Sequence, residues 1–154
     1  MRDSSVDEKS YIGYAELAAK LPINKGDIIL VSSDMLNILV DTKSHGETFD
    51  ANVFIDSFLQ QVGEDGTLLF PTFNWGFCRG EVFDINKTPS EVGALSNVAL
   101  TRDDFNRTQH PIYSFAVAGR YKKDLCDLNN VSAWSETSPL GFFCRYNAKN
   151  LFIG

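Results

Sequence analysis

The residues best suited to chemistry surround one of the chain's two histidines. His110 lies within residues 107–119, directly before Pro111. Proline fixes its own φ angle and moves the preceding residue toward extended geometry, so the His110 side chain would have little freedom. An imidazole titrates near neutral pH and can take a proton from an incoming nucleophile. His110 is therefore the candidate catalytic residue, and the alternative is a histidine that only hydrogen-bonds its own loop.

Composition and charge narrow the class of protein. The 154 residues are 44% apolar and 22% charged, which fits one globular domain with a real core. A net charge of −6 argues against nucleic acid or an anionic membrane as the main partner. The apolar runs are too short to span a bilayer, and residues 1–10 lack the apolar block of a signal peptide. We therefore expect a cytoplasmic protein with a small-molecule partner.

The cysteines support the same expectation. They are three, widely spaced and odd in number: Cys78, Cys126 and Cys144. Their spacing gives no disulfide or zinc pattern, which favours a reducing compartment and no metal.

Two short apolar runs, residues 28–31 and 67–70, are typical of strands covered on both faces. The periodicity of residues 49–62, followed by Gly63, predicts a helix between them. Strand, helix and strand predict a right-handed parallel βαβ unit. The sequence thus predicts an α/β fold, with three α/β/α layers around a mainly parallel or mixed central sheet.

Further elements are expected on both sides of this unit. They are a helix over residues 14–21, a helix opened by a capping box at residues 88–91, a strand over 114–118, a short helix over 122–128, a helix starting at 138–139, and a strand opening at 150. Residues 34–47 predict only a helical turn and a loop. We expect residues 1–10 to be a flexible tail and 11–154 a single domain. Because no covering helix follows the last strand, we expect the fold to be truncated at its C-terminus.

Polar residues follow the predicted strands. In an open α/β sheet, ligands bind beyond the carboxyl ends of the strands, where Ser32, Ser33 and Thr72 would lie. These hydroxyls, with free N–H groups at the start of the helix expected to open at residues 88–91, suit a phosphate-rich ligand. No GxxxxGK[ST], GxGxxG or GxSxG motif is present, which argues against ordinary nucleotide-binding and hydrolase sites. Each residue could equally be a turn former or a helix cap.

Two patterns in the sequence are specific in combination. Gly66-Thr67-Leu68 is followed by Pro71-Thr72-Phe73, and Arg107-Thr108 is followed by His110-Pro111 and Ser114. Residues 25–33, 83–95 and 138–141 complete an ordered set of five segments. In this order they resemble the aminoglycoside 3-N-acetyltransferase family, also called the antibiotic N-acetyltransferases.

The resemblance implies acetyl-CoA as the acetyl donor and an amine of an aminosugar or aminoglycoside-like molecule as the acceptor. It implies that His110 acts as the general base on that amine. It also implies that nine residues line the cofactor side of the site: Ser32, Ser33, Thr72, Phe73, Ser90, Val92, Gly93, Ser114 and Ser138. A base for the amine and hydrogen-bond donors for the tetrahedral oxyanion are what attack on a thioester requires.

Several alternatives stay open at this point. Where the family typically has a leucine-rich segment leading to glycines, residues 34–46 differ and Asp34 adds a negative charge. A non-catalytic member of the fold, or an acyltransferase on a non-antibiotic sugar, therefore competes with the first hypothesis. Glu136 and Asp104 are both candidates to orient His110. The aromatic residues of the loops could either stack on a sugar or cover the core: Trp75, Phe77 and Trp134.

Overall fold

A five-stranded mixed sheet organises this computed structural model, which describes residues 11–154. The predicted tail over residues 1–10 lies outside that range. The strands are β1 (Ile28–Ser33), β2 (Thr67–Pro71), β3 (Asn106–Arg107), β4 (Phe115–Gly119) and β5 (Lys149–Ile153). Their order in space is β3-β4-β2-β1-β5. β1 is parallel to β2 and β5, whereas β4 is antiparallel to β2 and β3. The prediction of an α/β fold with a mixed sheet is confirmed.

Helices connect and cover the strands. They are α1 (Leu17–Lys20), α2 (Leu36–Ser44), α3 (Ala51–Val62), α4 (Ala94–Leu100), α5 (Lys122–Cys126) and α6 (Pro139–Arg145). A short 3₁₀ helix, Gly76–Arg79, follows β2. Within residues 11–154, none of these helices combines the length and the apolar content that a bilayer crossing demands.

Helix α3 shows how the local sequence sets an element. The Asp50 carboxylate accepts hydrogen bonds from the backbone N–H groups of Asn52 and Val53, at 2.8 and 3.3 Å, and so caps the helix. Gly63, with a φ of 71°, ends it. Phe54 and Phe58 face the sheet and are fully buried. The predicted helix is therefore confirmed, with its first turn beginning at Ala51.

The strand residues alternate between two cores. Ile29, Val31 and Leu68 pack with α3 and α4 on one face of the sheet. Ile28 and Leu69 pack on the other face. The partners on that second face come from β4, α5 and α6: Phe115, Val117, Leu125, Phe142 and Phe143. Helices therefore cover both faces, which gives the expected three layers.

Two predictions of local structure are wrong. Residues 88–93 form a loop, and α4 begins only at Ala94 with Gly93 as its N-cap, so residues 88–91 are not a capping box. The polar groups of this segment bind other partners: the Thr88 hydroxyl accepts a hydrogen bond from the Asp84 amide at 2.8 Å. Residues 34–47 also contain the full helix α2 rather than one turn. Because Leu36 and Val40 stay exposed, its apolar residues do not mark a single buried face.

Candidate active site

A cleft of about 370 Å³ opens beyond the carboxyl ends of the two central parallel strands. Six residues line it: Ser32, Ser33, Pro71, Phe73, Val92 and Gly93. The two serines end β1, and Pro71 ends β2. Five of the nine residues predicted for the cofactor side thus share one cleft, at the place where open α/β sheets bind ligands.

The loop of residues 84–93 forms one wall of this cleft and is held at several points. The Glu91 amide donates to the Phe73 carbonyl at 2.8 Å, and the Ser90 amide donates to Asn97 Oδ1 at 2.9 Å. The Ser90 hydroxyl accepts from the Val92 amide at 3.1 Å, so this serine is turned toward the loop itself. Gly93 adopts a φ of 97°, a region that side chains disfavour, so this wall requires glycine at that position.

Three predicted hydroxyls hold the scaffold together. Thr72 and Ser114 are fully buried, and their side-chain oxygens lie 2.9 Å apart. Ser138 is also fully buried; its hydroxyl oxygen accepts from the Gly141 amide at 3.1 Å, and its O–H donates to the Ser135 carbonyl at 2.6 Å. Ser138 therefore caps α6. In this arrangement the three hydroxyls face partners inside the protein, and their contact with a cofactor stays a prediction.

His110 lies in the connection between β3 and β4 and is 8% exposed. Its Nδ1 accepts hydrogen bonds from the backbone N–H groups of Ile112 and Tyr113, at 3.2 and 3.0 Å. Burial lowers the pKa of the ring below its ordinary value of 6.5, while a hydrogen bond with the Val131 backbone opposes that shift. The neutral form of the imidazole therefore predominates at pH 7. Because Nδ1 accepts two hydrogen bonds, the neutral ring carries its proton on Nε2.

Neither candidate acid orients this histidine. Asp104 forms an ion pair with Arg102, with Nη2 and Oδ2 2.7 Å apart, and that pair lowers the pKa of Asp104. The Glu136 carboxylate makes no hydrogen bond to His110 in the described part of the chain. The two backbone amides that fix the ring could not be identified from residue types, because backbone donors leave no mark in a sequence.

His110 is not among the residues that line the cleft, and Tyr113 is the neighbour that it shares with the cleft residue Phe73. The Tyr113 ring centroid is 5.8 Å from that of His110 and 5.2 Å from that of Phe73. On another side, Trp134 lies 6.1 Å from Tyr113 and is 75% exposed. Trp134 is therefore an exposed aromatic neighbour of the site rather than a cover for the core.

The structure adds one residue to which the sequence assigned no role. Arg107, on β3, is only 7% exposed. Its Nε donates to the Ser114 hydroxyl at 2.9 Å, and its Nη2 donates to the Thr72 carbonyl at 2.8 Å. Arg107 stands between the polar residues Asn106 and Thr108, so its neighbours in the sequence carry no signal of its burial, and charged residues are rarely buried.

Metal-binding groups do not gather at the site. Within residues 11–154, no three histidine, cysteine, aspartate or glutamate side chains come together as metal ligands.

Comparison with known proteins identifies the family. The sequence profile of the aminoglycoside 3-N-acetyltransferase family matches residues 40–154, which is most of the chain. The chain belongs to this family. No curated protein matches it.

Solved structures share the fold at low sequence identity. The complex of AAC-IIIb with CoASH has a TM-score of 0.73 and 19% identity, over 90% of this chain and 57% of that one. AAC-VIa with bound sisomicin has a TM-score of 0.72 and 20% identity, over 92% of this chain and 59% of that one. The YokD protein from Bacillus subtilis has a TM-score of 0.69 and 22% identity, over 85% of this chain and 59% of that one. At these identities the likeness shows the fold, and this chain spans less than two thirds of the length of each.

Proposed function

We propose that this protein transfers an acetyl group from acetyl-CoA to an amine of an aminosugar or aminoglycoside-like acceptor. The observation that carries the proposal is the cleft at the ends of β1 and β2, where Ser32, Ser33, Phe73, Val92 and Gly93 converge. Family membership supports the class of reaction. The structural neighbours include a complex with CoASH and one with sisomicin, which supports the choice of donor and acceptor to test.

The cleft suits the narrow part of such a donor. Its volume of about 370 Å³ falls in the range of small-molecule sites, roughly 300–1,000 Å³. Ser32 and Ser33 are half-buried at its floor, so their hydroxyls can bind amide groups of a pantetheine chain. Acetyl-CoA supplies the activated thioester when bound, and these residues would bind and orient it.

His110 is the proposed catalytic residue, acting in its neutral form. As a general base it would take the proton that the amine loses on attacking the thioester, which requires a free lone pair. The lone pair on Nδ1 already accepts from Ile112 and Tyr113. To act as a base through Nε2, the ring must first carry its proton on Nδ1 instead. The Ile112 and Tyr113 amides must then turn away from Nδ1. Donation from Nε2–H to the tetrahedral oxyanion leaves the two amide hydrogen bonds in place, because a neutral imidazole can polarise a carbonyl oxygen. It requires Nε2–H to exchange its hydrogen bond with the Val131 backbone for one to the oxyanion.

The surroundings of the site favour a cationic acceptor. The net charge of −6 attracts positively charged amines to the protein. Tyr113 and Trp134 provide aromatic faces next to His110, and such faces bind sugar rings and cations.

Binding to the cleft tests the donor part of the proposal. Titration calorimetry with CoA should show binding to the wild-type chain, and Ser33→Leu should weaken it at least about tenfold, since each tenfold step is about 1.4 kcal/mol. Ser44→Leu is the matched control, because Ser44 is exposed at the end of α2 and outside the cleft. Equal affinity in both variants would contradict the assignment of this cleft. Binding without release of free thiol from acetyl-CoA, with sisomicin and simpler aminosugars as acceptors, would favour the non-catalytic alternative.

A further inference from the structure

The Arg107 side chain joins three segments that meet at the candidate site. Its Nη1 donates to the Thr88 carbonyl in the 84–93 loop. Its Nη2 and Nε donate to the Thr72 carbonyl, after β2, and to the Ser114 hydroxyl, before β4. One planar guanidinium thus fixes three acceptors in three directions, which the single ammonium of a lysine cannot reproduce.

Each acceptor is next to a part of the site that must be placed accurately. Phe73 follows Thr72 and lines the cleft on the sheet side. Thr88 begins the stretch of loop that ends in Gly93 on the opposite wall. His110 lies between Arg107 and Ser114, so the Nε hydrogen bond closes the base of the loop that carries it. A hydrogen bond from the Phe115 amide to the Thr108 hydroxyl, 2.9 Å long, closes the same loop through the next residue at each end.

The environment of the guanidinium holds it in place. The Phe83 ring centroid lies 4.9 Å from Arg107 Cζ, and Arg107 as a whole is 7% exposed. The hydrogen-bond acceptors around it in residues 11–154 are carbonyl and hydroxyl oxygens rather than carboxylates. Burial without a carboxylate partner lowers the pKa of Arg107 to about 10. A buried cation is stabilised only by well-made hydrogen bonds, so small displacements of its three acceptors are costly.

We propose that Arg107 is a positioning residue that aligns the His110 loop with both walls of the cleft, acting through Thr72, Thr88 and Ser114. The inference rests on the proposed acetyl transfer for its kinetic consequence. Its structural consequence, the placement of the His110 ring, can be measured without any substrate.

Arg107→Lys is the decisive variant, because it keeps the charge and removes the three-way hydrogen bonding. We expect kcat for acetyl transfer to fall by about 10²-fold, as for a misplacement of about 1 Å, with a smaller change in KM. Arg102→Lys is the matched control. Arg102 is also largely buried and also forms several hydrogen bonds, but to Asp56, Asp104 and Asn52. Low concentrations of guanidinium should restore part of the activity of Arg107→Ala and none of that of Arg102→Ala.

The ring of His110 gives the independent readout. The chain has two histidines, so their ¹⁵N signals can be assigned with a His45→Gln variant. Arg107→Lys should shift the His110 Nδ1 signal in the ligand-free protein and leave that of His45 unchanged. If Arg107→Lys does not fold, Ser114→Ala removes one of the three links and should cause the same shift to a smaller degree. An unshifted His110 signal, or equal kinetic losses in the Arg107 and Arg102 variants, would overturn the proposal. Absence of acetyl transfer in the wild type would instead refute the proposed function and leave the NMR test standing.

Discussion

The side-chain oxygens of Thr72 and Ser114 lie 2.9 Å apart, and both residues are fully buried. The contact joins the end of β2 to the start of β4, 42 positions further along the chain. Ser114 also accepts from Arg107 Nε at 2.9 Å. The two hydroxyls and the guanidinium therefore form one buried polar network, in which the loss of any member leaves its partners unsatisfied.

We expect Ser114→Ala and Thr72→Val each to lower the free energy of unfolding by about 1–3 kcal/mol, the cost of leaving buried polar groups unpaired. The double variant should lose less than the sum, because the second substitution removes a group that the first has already left unpaired. Urea denaturation measures all three values. Ser44→Ala, at an exposed hydroxyl on α2, is the control and should change stability by less than about 0.5 kcal/mol. Strict additivity would show that the two hydroxyls are not coupled.

His110 should make folding stability depend on pH. Burial lowers its folded pKa below the ordinary 6.5, although the Val131 backbone opposes this. Between the two pKa values the unfolded chain binds more protons than the folded chain, so stability falls as the pH drops below about 6.5 and levels off below the folded pKa. Urea denaturation at a series of pH values should show this component in the wild type and lose it in His110→Gln.

His45→Gln is the control for that series, since it removes the chain's other histidine from an exposed position. His45→Gln should keep the pH dependence of folding stability that His110→Gln loses. A folded-state NMR titration in which His110 titrates above 6.5 would contradict the effect of burial.

Gly141 tests the turn before α6. A Cβ on this residue would lie 2.5 Å from the carbonyl oxygens of both Ser135 and Glu136. We therefore expect Gly141→Ala to lower the free energy of unfolding by at least about 2 kcal/mol, the range for backbone clashes and overpacking. Gly13→Ala, where the nearest side-chain atoms are 3.9 Å away, should be close to neutral. Similar stability for the two variants in urea would exclude the tight packing described for Gly141.

The ion pair between Asp27 and Lys149 anchors β5 beside β1. Lys149 Nζ lies 2.6 Å from Asp27 Oδ2 and also donates to the Pro22 carbonyl at 3.0 Å. Burial alone would raise the pKa of Asp27, but the hydrogen bonds from Lys149 and Asn24 lower it by more. The pKa of Asp27 therefore lies below its ordinary value of 3.8. A depressed carboxylate pKa stabilises the fold above the unfolded value and loses that effect as the pH falls through the folded one.

Lys149→Met should accordingly lower stability by at most about 1 kcal/mol at pH 7, because the pair is partly exposed and screened. The difference from the wild type should shrink as the pH falls below 3.8. Urea midpoints at pH 7 and pH 3 provide the comparison, with Lys43→Met at an exposed position of α2 as control. A difference that grows in acid would contradict the assignment.

Elements with strong local signals were predicted correctly. The apolar runs of β1 and β2, and α3 between Asp50 and Gly63, carry their own boundaries in the sequence. The loop at residues 88–93 was predicted wrongly because its polar groups bind distant partners such as Asn97 and Arg107. Tertiary contacts of that kind override a local capping pattern.

Some parts of the candidate site could be predicted from the sequence, and others could not. The sequence predicted Ser32, Ser33 and Phe73 at the carboxyl ends of two parallel strands. The structure brings them together there, because those strand ends meet at one edge of the sheet. The tautomer of His110 depends on two backbone amides. The burial of Arg107 depends on how β3 pairs with β4. Neither follows from residue spacing, because both arise from contacts made only after the chain has folded.

Release of free thiol from acetyl-CoA in the presence of sisomicin tests the central claim most directly. We predict release by the wild-type chain and by His45→Ala, and a loss of at least about 10²-fold in His110→Ala, the contribution expected of a positioned proton-transfer group. Circular dichroism should show that both variants are folded. Equal rates in His110→Ala and His45→Ala would contradict the account.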